Sequence, residues 1–273
     1  MNTVTRARPP LIVWGAVVAV MLTAPTLVVI PLSFTSQRSF RFPIEGWSLQ
    51  WYERFFTESR WVGALMTSLG VALTAAILAT IVGTLAVIAL GRSRIALGPV
   101  ARGTLMLPIV VPGIVVAVGV FGAYLRWGIS GSFLGLVLAH TVLSIPFVMI
   151  PVTTALRGIP ETVERAAAVL GANPLRRFTQ VQLPLLAPGL VTGFVFAFVT
   201  SLDEVVIAFF LQSPRLRTLP VQMYSSVTVE TDPTIAVASS LVLVISTIAI
   251  LVPRLVANSR TKRLATLTKE AAS

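Results

Sequence analysis

Long apolar runs, each cut off by arginine or by a short polar stretch, dominate this chain. Uncharged runs cover Leu11–Leu32, Trp61–Gly91, Gly103–Leu125, Trp127–Leu156 and Pro233–Pro253. A sixth, Phe178–Leu202, resumes after Asp203 and Glu204 through Val205–Leu211. About 20 apolar residues cross a bilayer core as a helix, and in lipid a helix pairs its own backbone amides. The pattern predicts an all-α membrane protein with six transmembrane helices. Pro108, Pro112 and Gly113 interrupt the third run, and Pro146 and Pro151 the fourth. Such breaks are tolerated where neighbouring helices or a water-lined cavity satisfy the freed carbonyls, so they favour moving helices over a rigid anchor.

Between the fourth and fifth runs, from Arg157, lies a polar insert that cannot cross a bilayer. Pro160 suits the first turn of a helix, and Glu161 and Glu164 are favourable near its positive end. Ala166, Ala167, Ala168 and Leu170 propagate it, Gly171 is a left-handed stop, and Pro174 prevents continuation. The expected element is a helix of about three turns with a nearly bare alanine face. Glu164, Arg165, Arg176 and Arg177 would supply rim charges. It either joins two spans or serves as a docking surface.

Composition supports the membrane reading. Of 273 residues 55% are hydrophobic and 11% charged, against about 25% charged in an average soluble domain. The mean hydropathy is +0.89. With no cysteine, disulfides, thiolate metal sites and cysteine nucleophiles are excluded, and one histidine leaves little material for a metal centre or cofactor site. The net charge of +11 is spread as punctuation between apolar runs, which argues against nucleic acid as a partner and for membrane lipid.

That basic punctuation also orients the spans. Six crossings put both ends on one side, with Arg6, Arg8, Arg92, Arg94, Arg102, Arg157, Arg165, Arg176, Arg177, Arg254, Arg260, Lys262, Arg263 and Lys269. The other side carries Arg38, Arg41, Arg54, Arg60, Arg126, Arg215 and Arg217, half as many. The positive-inside rule then makes both termini cytoplasmic in a multi-pass membrane protein. Arg6 and Arg8 ahead of the first run resemble a signal peptide, but the run exceeds the usual 7–15 residues and no A-x-A site follows, so an uncleaved helix is expected. Three regions result: residues 1–60 with the first helix and an outward segment, a five-helix core at 61–256, and a basic cytoplasmic tail at 257–273. In the outward segment, Trp51, Tyr52, Phe55 and Phe56 sit at helical spacing. They read as an interfacial amphipathic helix with an aromatic belt, or as a contact for a binding protein.

Asp203 and Glu204 lie about fifteen residues past Pro188, roughly 22 Å along a helix that crosses about 30 Å. Carboxylates at that depth are costly and mark a functional site by default. The alternative is that the helix ends there, leaving the acids at the headgroups or capping a neighbour. His140, with Thr141 and Ser144 nearby, is either an interhelical hydrogen-bond partner or a pathway residue.

The insert resembles the EAA signature of ABC importer permeases of the binding-protein-dependent type. Ala166-Ala167 is followed after three residues by Gly171, and nine residues later by Val181-Gln182-Leu183-Pro184. The signature's leading glutamate falls on Arg165, with Glu164 one residue earlier, a rotation of about 100° on a helix. The resemblance implies that the insert is a coupling helix seated in a cytoplasmic ATPase dimer, with Glu161, Glu164, Arg165, Ala166, Ala167, Gly171 and Pro184 as coupling residues. It also implies a second homologous permease subunit and a periplasmic or extracellular solute-binding protein. No GxxxxGK[ST] phosphate loop occurs, so a non-catalytic subunit is expected, with ATP hydrolysed by the partner. Ser201-Leu202-Asp203-Glu204-Val205-Val206 is similar to the second permease subunit of spermidine/putrescine importers, which implies a polyamine cargo, a string of ammonium groups suited to a pathway carboxylate at Asp203 or Glu204; His140 stays either an interhelical partner or a pathway residue. Relatives that import iron, sulfate, phosphonate or amino-acid-like solutes share the framework. A secondary transporter would want inverted repeats and several buried ionisable residues. An intramembrane enzyme would want a nucleophile motif such as GxSxG paired with His140.

Overall fold

The computed structural model describes residues 9–41, 43–92, 98–229 and 232–270, in which all regular structure is helical. Arg6, Arg8 and Arg94 lie outside the described residues. The helices run in the order α1 (Pro9–Leu32), α2 (Gln50–Thr57), α3 (Ser59–Arg92), α4 (Gly98–Val110), α5 (Gly113–Trp127), α6 (Phe133–Arg157), α7 (Glu161–Val169) and α8 (Pro174–Arg176). A π-helical turn at Arg177–Gln182 leads into α9 (Leu183–Leu202), followed by α10 (Val206–Leu211), α11 (Leu219–Val229) and α12 (Thr234–Glu270). Among the described residues, four helices are long and apolar enough to cross a membrane, or up to six if each bent pair is one span.

Two of the six expected spans are bent pairs. The run Gly103–Leu125 is split between α4 and α5, which turn by 105° at the break before Gly113. Pro112 is extended (φ −54°, ψ 131°) and cannot donate to the preceding turn, so the helix restarts after it. The first run is helical but bends by 43° between Ala24 and Thr26, as a proline at position 25 dictates. The fourth span starts at Phe133, because Gly128 (φ +67°) and Gly131 (φ +72°) turn the chain after Trp127. Ser132 caps its first turn, accepting from the Gly135 amide at 3.0 Å. The sixth span keeps Pro253 inside a helix that continues to Glu270, so the expected separate tail from 257 is helical backbone as far as the structure describes it.

By internal contacts the chain forms two units, Met1–Val62 with Met223–Val244, and Gly63–Gln222 with Ile245–Ser273. In the first, the segment between α1 and α3 folds on itself. Trp51 Nε1 donates to the Thr35 carbonyl at 2.8 Å, Tyr52 and Ser33 hydroxyls lie 2.8 Å apart, and the Phe55 and Trp61 rings stack 5.8 Å apart. Trp51 and Phe55 are buried, so the aromatic face of α2 turns into protein and the expected interfacial belt reduces to exposed Trp47 and Phe56. Glu58 sits between Arg54 (2.5 Å) and Arg60 (2.6 Å), and both arginines reach the buried Asp232 at 3.6 Å. Burial pushes the Glu58 carboxyl up, but hydrogen bonds from the two guanidiniums win and hold it below its ordinary value of 4.5.

The second unit is organised by α6 and α9. Lipid tails are as apolar as leucine, so spans associate through close contact and interhelical hydrogen bonds. Gly189 and Gly193 give α9 a small-residue face: a Cβ on Gly189 would lie 3.0 Å from the Pro151 carbonyl oxygen, and one on Gly193 would lie 3.1 Å from the Val148 Cα. Val148 also meets Gly83 of α3, where an added Cβ would come within 3.1 Å of its side chain. A seam of buried Met149, Val152, Ala76, Ala79 and Ala197 surrounds this crossing. A second cluster joins α5, α6 and α10 through Tyr124, Leu136, Ile207 and Leu211.

Gly193→Val should destabilise this unit by about 1–3 kcal/mol, whereas Gly122→Ala, with nothing within 4 Å of the new methyl, should be close to neutral. Thermal unfolding in detergent checks both; equal midpoints for the two variants would remove the close-contact argument. Glu58→Gln should lower stability by about 1 kcal/mol at pH 7. Because the folded carboxyl titrates below its unfolded value, the advantage of Glu58 is full above pH 4.5 and fades as pH falls through the lower folded value. Melting both proteins across that window should show their midpoints converge on the acid side.

Candidate functional site

Two places draw together the residues singled out by sequence: the surface helix α7 and the gap between α9 and α10. Pro160 precedes α7 in extended backbone, and Glu161 and Glu164 occupy the first turn. The helix ends in a Schellman motif. Gly171 takes φ +83°, its amide donates to the Ala168 carbonyl at 3.0 Å, and the Ala172 amide reaches back to Ala167 at 3.0 Å. The helix spans nine residues, shorter than the three turns expected, because Leu170 is already its cap. Pro174 starts the next helix rather than only blocking the first one, with the Asn173 side chain accepting from the Arg176 amide at 2.8 Å. The π-helical turn then carries the chain to Leu183 and Pro184. Pro184 lacks an amide proton and its ring crowds the carbonyl four residues back, which a widened turn relieves.

The charges of α7 divide by direction. Arg165 Nη2 donates to Glu161 at 2.6 Å, and both side chains are largely exposed. Glu164, expected as a rim charge, is half-buried and accepts a hydrogen bond from the buried Gln182 at the end of the π-helical turn. The rotation of one residue relative to the EAA pattern therefore leaves Arg165 outside and turns the glutamate inward. Ala166 and Ala168 are exposed, and Val169 and Leu170 are among the most exposed apolar residues of the chain, at 88% and 86%. The sequence reading treated Leu170 only as a helix former. Its position beside the αL glycine, where the chain turns away from the helix, was the available signal for an apolar tip.

At the other place, α9 stops at Leu202 and α10 begins at Val206. The 20 residues of α9 span about 30 Å, a full hydrocarbon thickness. The two acids in the gap differ in kind. Both oxygens of Glu204 cap α10, accepting from the Ile207 amide at 2.8 Å and the Ala208 amide at 2.9 Å. Asp203 is exposed, and its side chain makes no hydrogen bond or ion pair among the described residues. His140, on α6, is 1% exposed. Its Nδ1 lies 2.7 Å from the Ser201 hydroxyl of α9, and its Nε2 lies 3.6 Å from Glu204 Oε2 with no hydrogen-bond partner. His140, Ser201 and Glu204 thus form one buried chain linking α6, α9 and α10. Ser201 was missed in the sequence because a serine in an apolar helix usually bonds its own backbone. Chemically the gap offers one free carboxylate, suited to a cation, beside a second that holds the backbone.

Residues 92–262 match the family described as binding-protein-dependent transport system inner membrane component. Among curated relatives, the spermidine/putrescine transport system permease protein PotC of Escherichia coli (strain K12) is 31% identical over 241 residues, covering 88% of this chain and 91% of the relative. PotC of Haemophilus influenzae is 32% identical over 240 residues, covering 88% and 93%. The putrescine transport system permease protein PotI of Escherichia coli (strain K12) is 31% identical over 256 residues, with 89% of each chain covered. Among solved structures, a bacterial ABC transporter involved in import of the acidic polysaccharide alginate matches with TM-score 0.65 at 16% identity, over 95% of this chain and 99% of that one. An inward-facing MetNI methionine ABC transporter matches with TM-score 0.63 at 17% identity, over 72% and 94%. These two likenesses concern the fold.

The matched region includes both α7 and the gap at Asp203. For the gap, Ser201→Ala removes the partner of His140 Nδ1 and should cost about 1–3 kcal/mol, since a buried polar group is left unpaired. Ser201→Thr, which keeps the hydroxyl, should cost less. Unfolding midpoints in detergent report both, and an Ser201→Ala protein as stable as its parent would dissolve the proposed α6–α9 link.

Proposed function

The chain belongs to the family of binding-protein-dependent transport system inner membrane components, the permease subunits of ABC importers, and from that premise we propose its cargo, its docking element and its placement in the membrane. The cargo is a polyamine such as spermidine or putrescine. PotC and PotI, the transport proteins it resembles over most of its length, bear those cargoes in their names. The exposed, unpaired Asp203 carboxylate suits a string of ammonium groups, and this is the observation that carries the reading. Glu204 serves the pathway indirectly by fixing the backbone on which Asp203 stands, and His140 acts through Glu204 rather than by touching cargo.

The docking element is α7. A short helix tied at one end to α6 and at the other, through α8 and the π-helical turn, to α9 can pass a push to both spans. Its exposed Val169–Leu170 tip and the outward Glu161–Arg165 pair suit a cleft on a cytoplasmic ATPase. Closure of an ATPase dimer on ATP would then tilt the spans between inward-open and outward-open states, with a second permease subunit opposite and a solute-binding protein delivering cargo. In this reading each bent pair is one span, giving six crossings and both termini in the cytoplasm.

Reconstitution of the importer in liposomes with a loaded binding protein tests these assignments. Asp203→Asn should reduce labelled spermidine uptake about tenfold, the weight of one charge-assisted contact, with the complex still assembled. Gly171→Asp should weaken ATPase association and uptake together while leaving membrane insertion unchanged, because an L residue at φ +83° strains the cap. Normal spermidine uptake by Asp203→Asn would remove that residue from the pathway. Normal ATPase association by Gly171→Asp would remove α7 as the docking element.

A further inference from the structure

Beside α7, the second unit holds an open-mouthed cavity of about 690 Å³, which shares Glu161 and Arg165 with the proposed docking face. Its apolar side is made by Val87 and Ile88 of α3 and Leu156 of α6. On its polar side stand Arg102 of α4, Arg157 at the end of α6 and Arg177 of the π-helical turn. The carboxylates that line it are engaged by neighbours in the same lining, Glu161 by Arg165 and Glu164 by Gln182. None of the three arginines has a side-chain hydrogen bond or ion pair among the described residues, and the Nε of half-buried Arg177 is itself buried without a partner. Gln182, 1% exposed, also lines the cavity with its Oε1 unpartnered.

Like charges gathered around one cavity repel, and a buried donor left unmade costs about 1–3 kcal/mol. Three arginines that line one cavity from separate elements suit an oxyanion, which arginine binds with a planar fork of donors. We propose that this cavity is a binding site for a phosphate-bearing anion, held by Arg102, Arg157 and Arg177, with Gln182 Oε1 accepting from a hydroxyl of the same ligand. The anion is supplied either by an acidic phospholipid headgroup or by a free phosphate. The site rests on the cavity and its arginines alone and does not depend on the polyamine assignment. Its occupant would bridge α4 to α6 and to the π-helical turn, and the last two flank α7 in the chain.

Binding is measured on the assembled importer, without transport. One arm titrates inorganic phosphate into the detergent-purified complex. The other compares thermal midpoints in nanodiscs of phosphatidylcholine alone with nanodiscs containing one quarter phosphatidylglycerol. Saturable phosphate binding identifies a free anion; stabilisation by phosphatidylglycerol alone identifies a lipid headgroup. In whichever arm responds, Arg102→Gln and Arg157→Gln, on different helices, should each weaken the response about tenfold, so one decides if the other fails to assemble. No response in either arm, or a full response from an assembled variant, overturns the site. Loss of polyamine uptake with the anion response intact would count against the cargo and leave this site standing.

Discussion

The approach of α9 to α6 at Gly189 and Gly193 is the contact on which the rest of the second unit depends. It brings two backbones within the distance at which a single methyl would collide with Pro151 or Val148. In lipid there is no hydrophobic gain from pairing two apolar helices, so van der Waals contact and the few polar links along the seam must supply the association. Those links are His140 to Ser201 and Ser144 to the Ala197 carbonyl. Both need the helices close, and only the glycines allow that. The position of Ser201 in turn fixes where α9 stops, and hence where Asp203 and Glu204 leave the helix.

This geometry resolves a difficulty posed by two adjacent acids at the end of a span. A bare carboxylate in a poorly solvated place is expensive, and two neighbours repel. The chain separates them by interrupting the helix. Glu204 finds two backbone amides that the start of α10 would otherwise leave unsatisfied, so one charge becomes part of the scaffold. Asp203 remains exposed and available. A continuous helix through this point would have pointed the two side chains about 100° apart and left both without backbone partners.

Much of α7 was legible in the sequence because its signals are local. An extended proline, two acids in the first turn and a glycine that must be left-handed each act within one turn of chain, and the observed cap at Gly171 follows from them. The bend between α4 and α5 was half-legible. Pro108, Pro112 and Gly113 announce an interruption, but the loss of a hydrogen bond does not encode a 105° turn, which the packing of α4 and α5 decides. The inward faces of Trp51 and Phe55 were misread because an aromatic helix face looks the same whether it meets lipid or protein. The glycine pair on α9 was readable as Gly-x-x-x-Gly, yet among eighteen glycines nothing local separates it from those with open space around them. Long-range partners such as Ser201 for His140, or Gln182 for Glu164, have no sequence signature at all.

Electrostatics ties the two ends of the unit together. At the gap beyond α9, Asp203 is a carboxylate without a side-chain partner among the described residues; at the foot of α7, Arg102, Arg157 and Arg177 are guanidiniums without one. A cationic solute is drawn to the first and repelled by the second, while an anion behaves in the opposite way. Arg157 stands on α6 and Arg177 on the π-helical lead-in to α9, with Arg102 on α4, so an anion that fastened the three arginines would stiffen the path between α7 and the gap. The glycine crossing lies between these ends, and its backbones are so close that a shift of α6 would press Val148 against Gly193 and so against the helix that ends at Leu202.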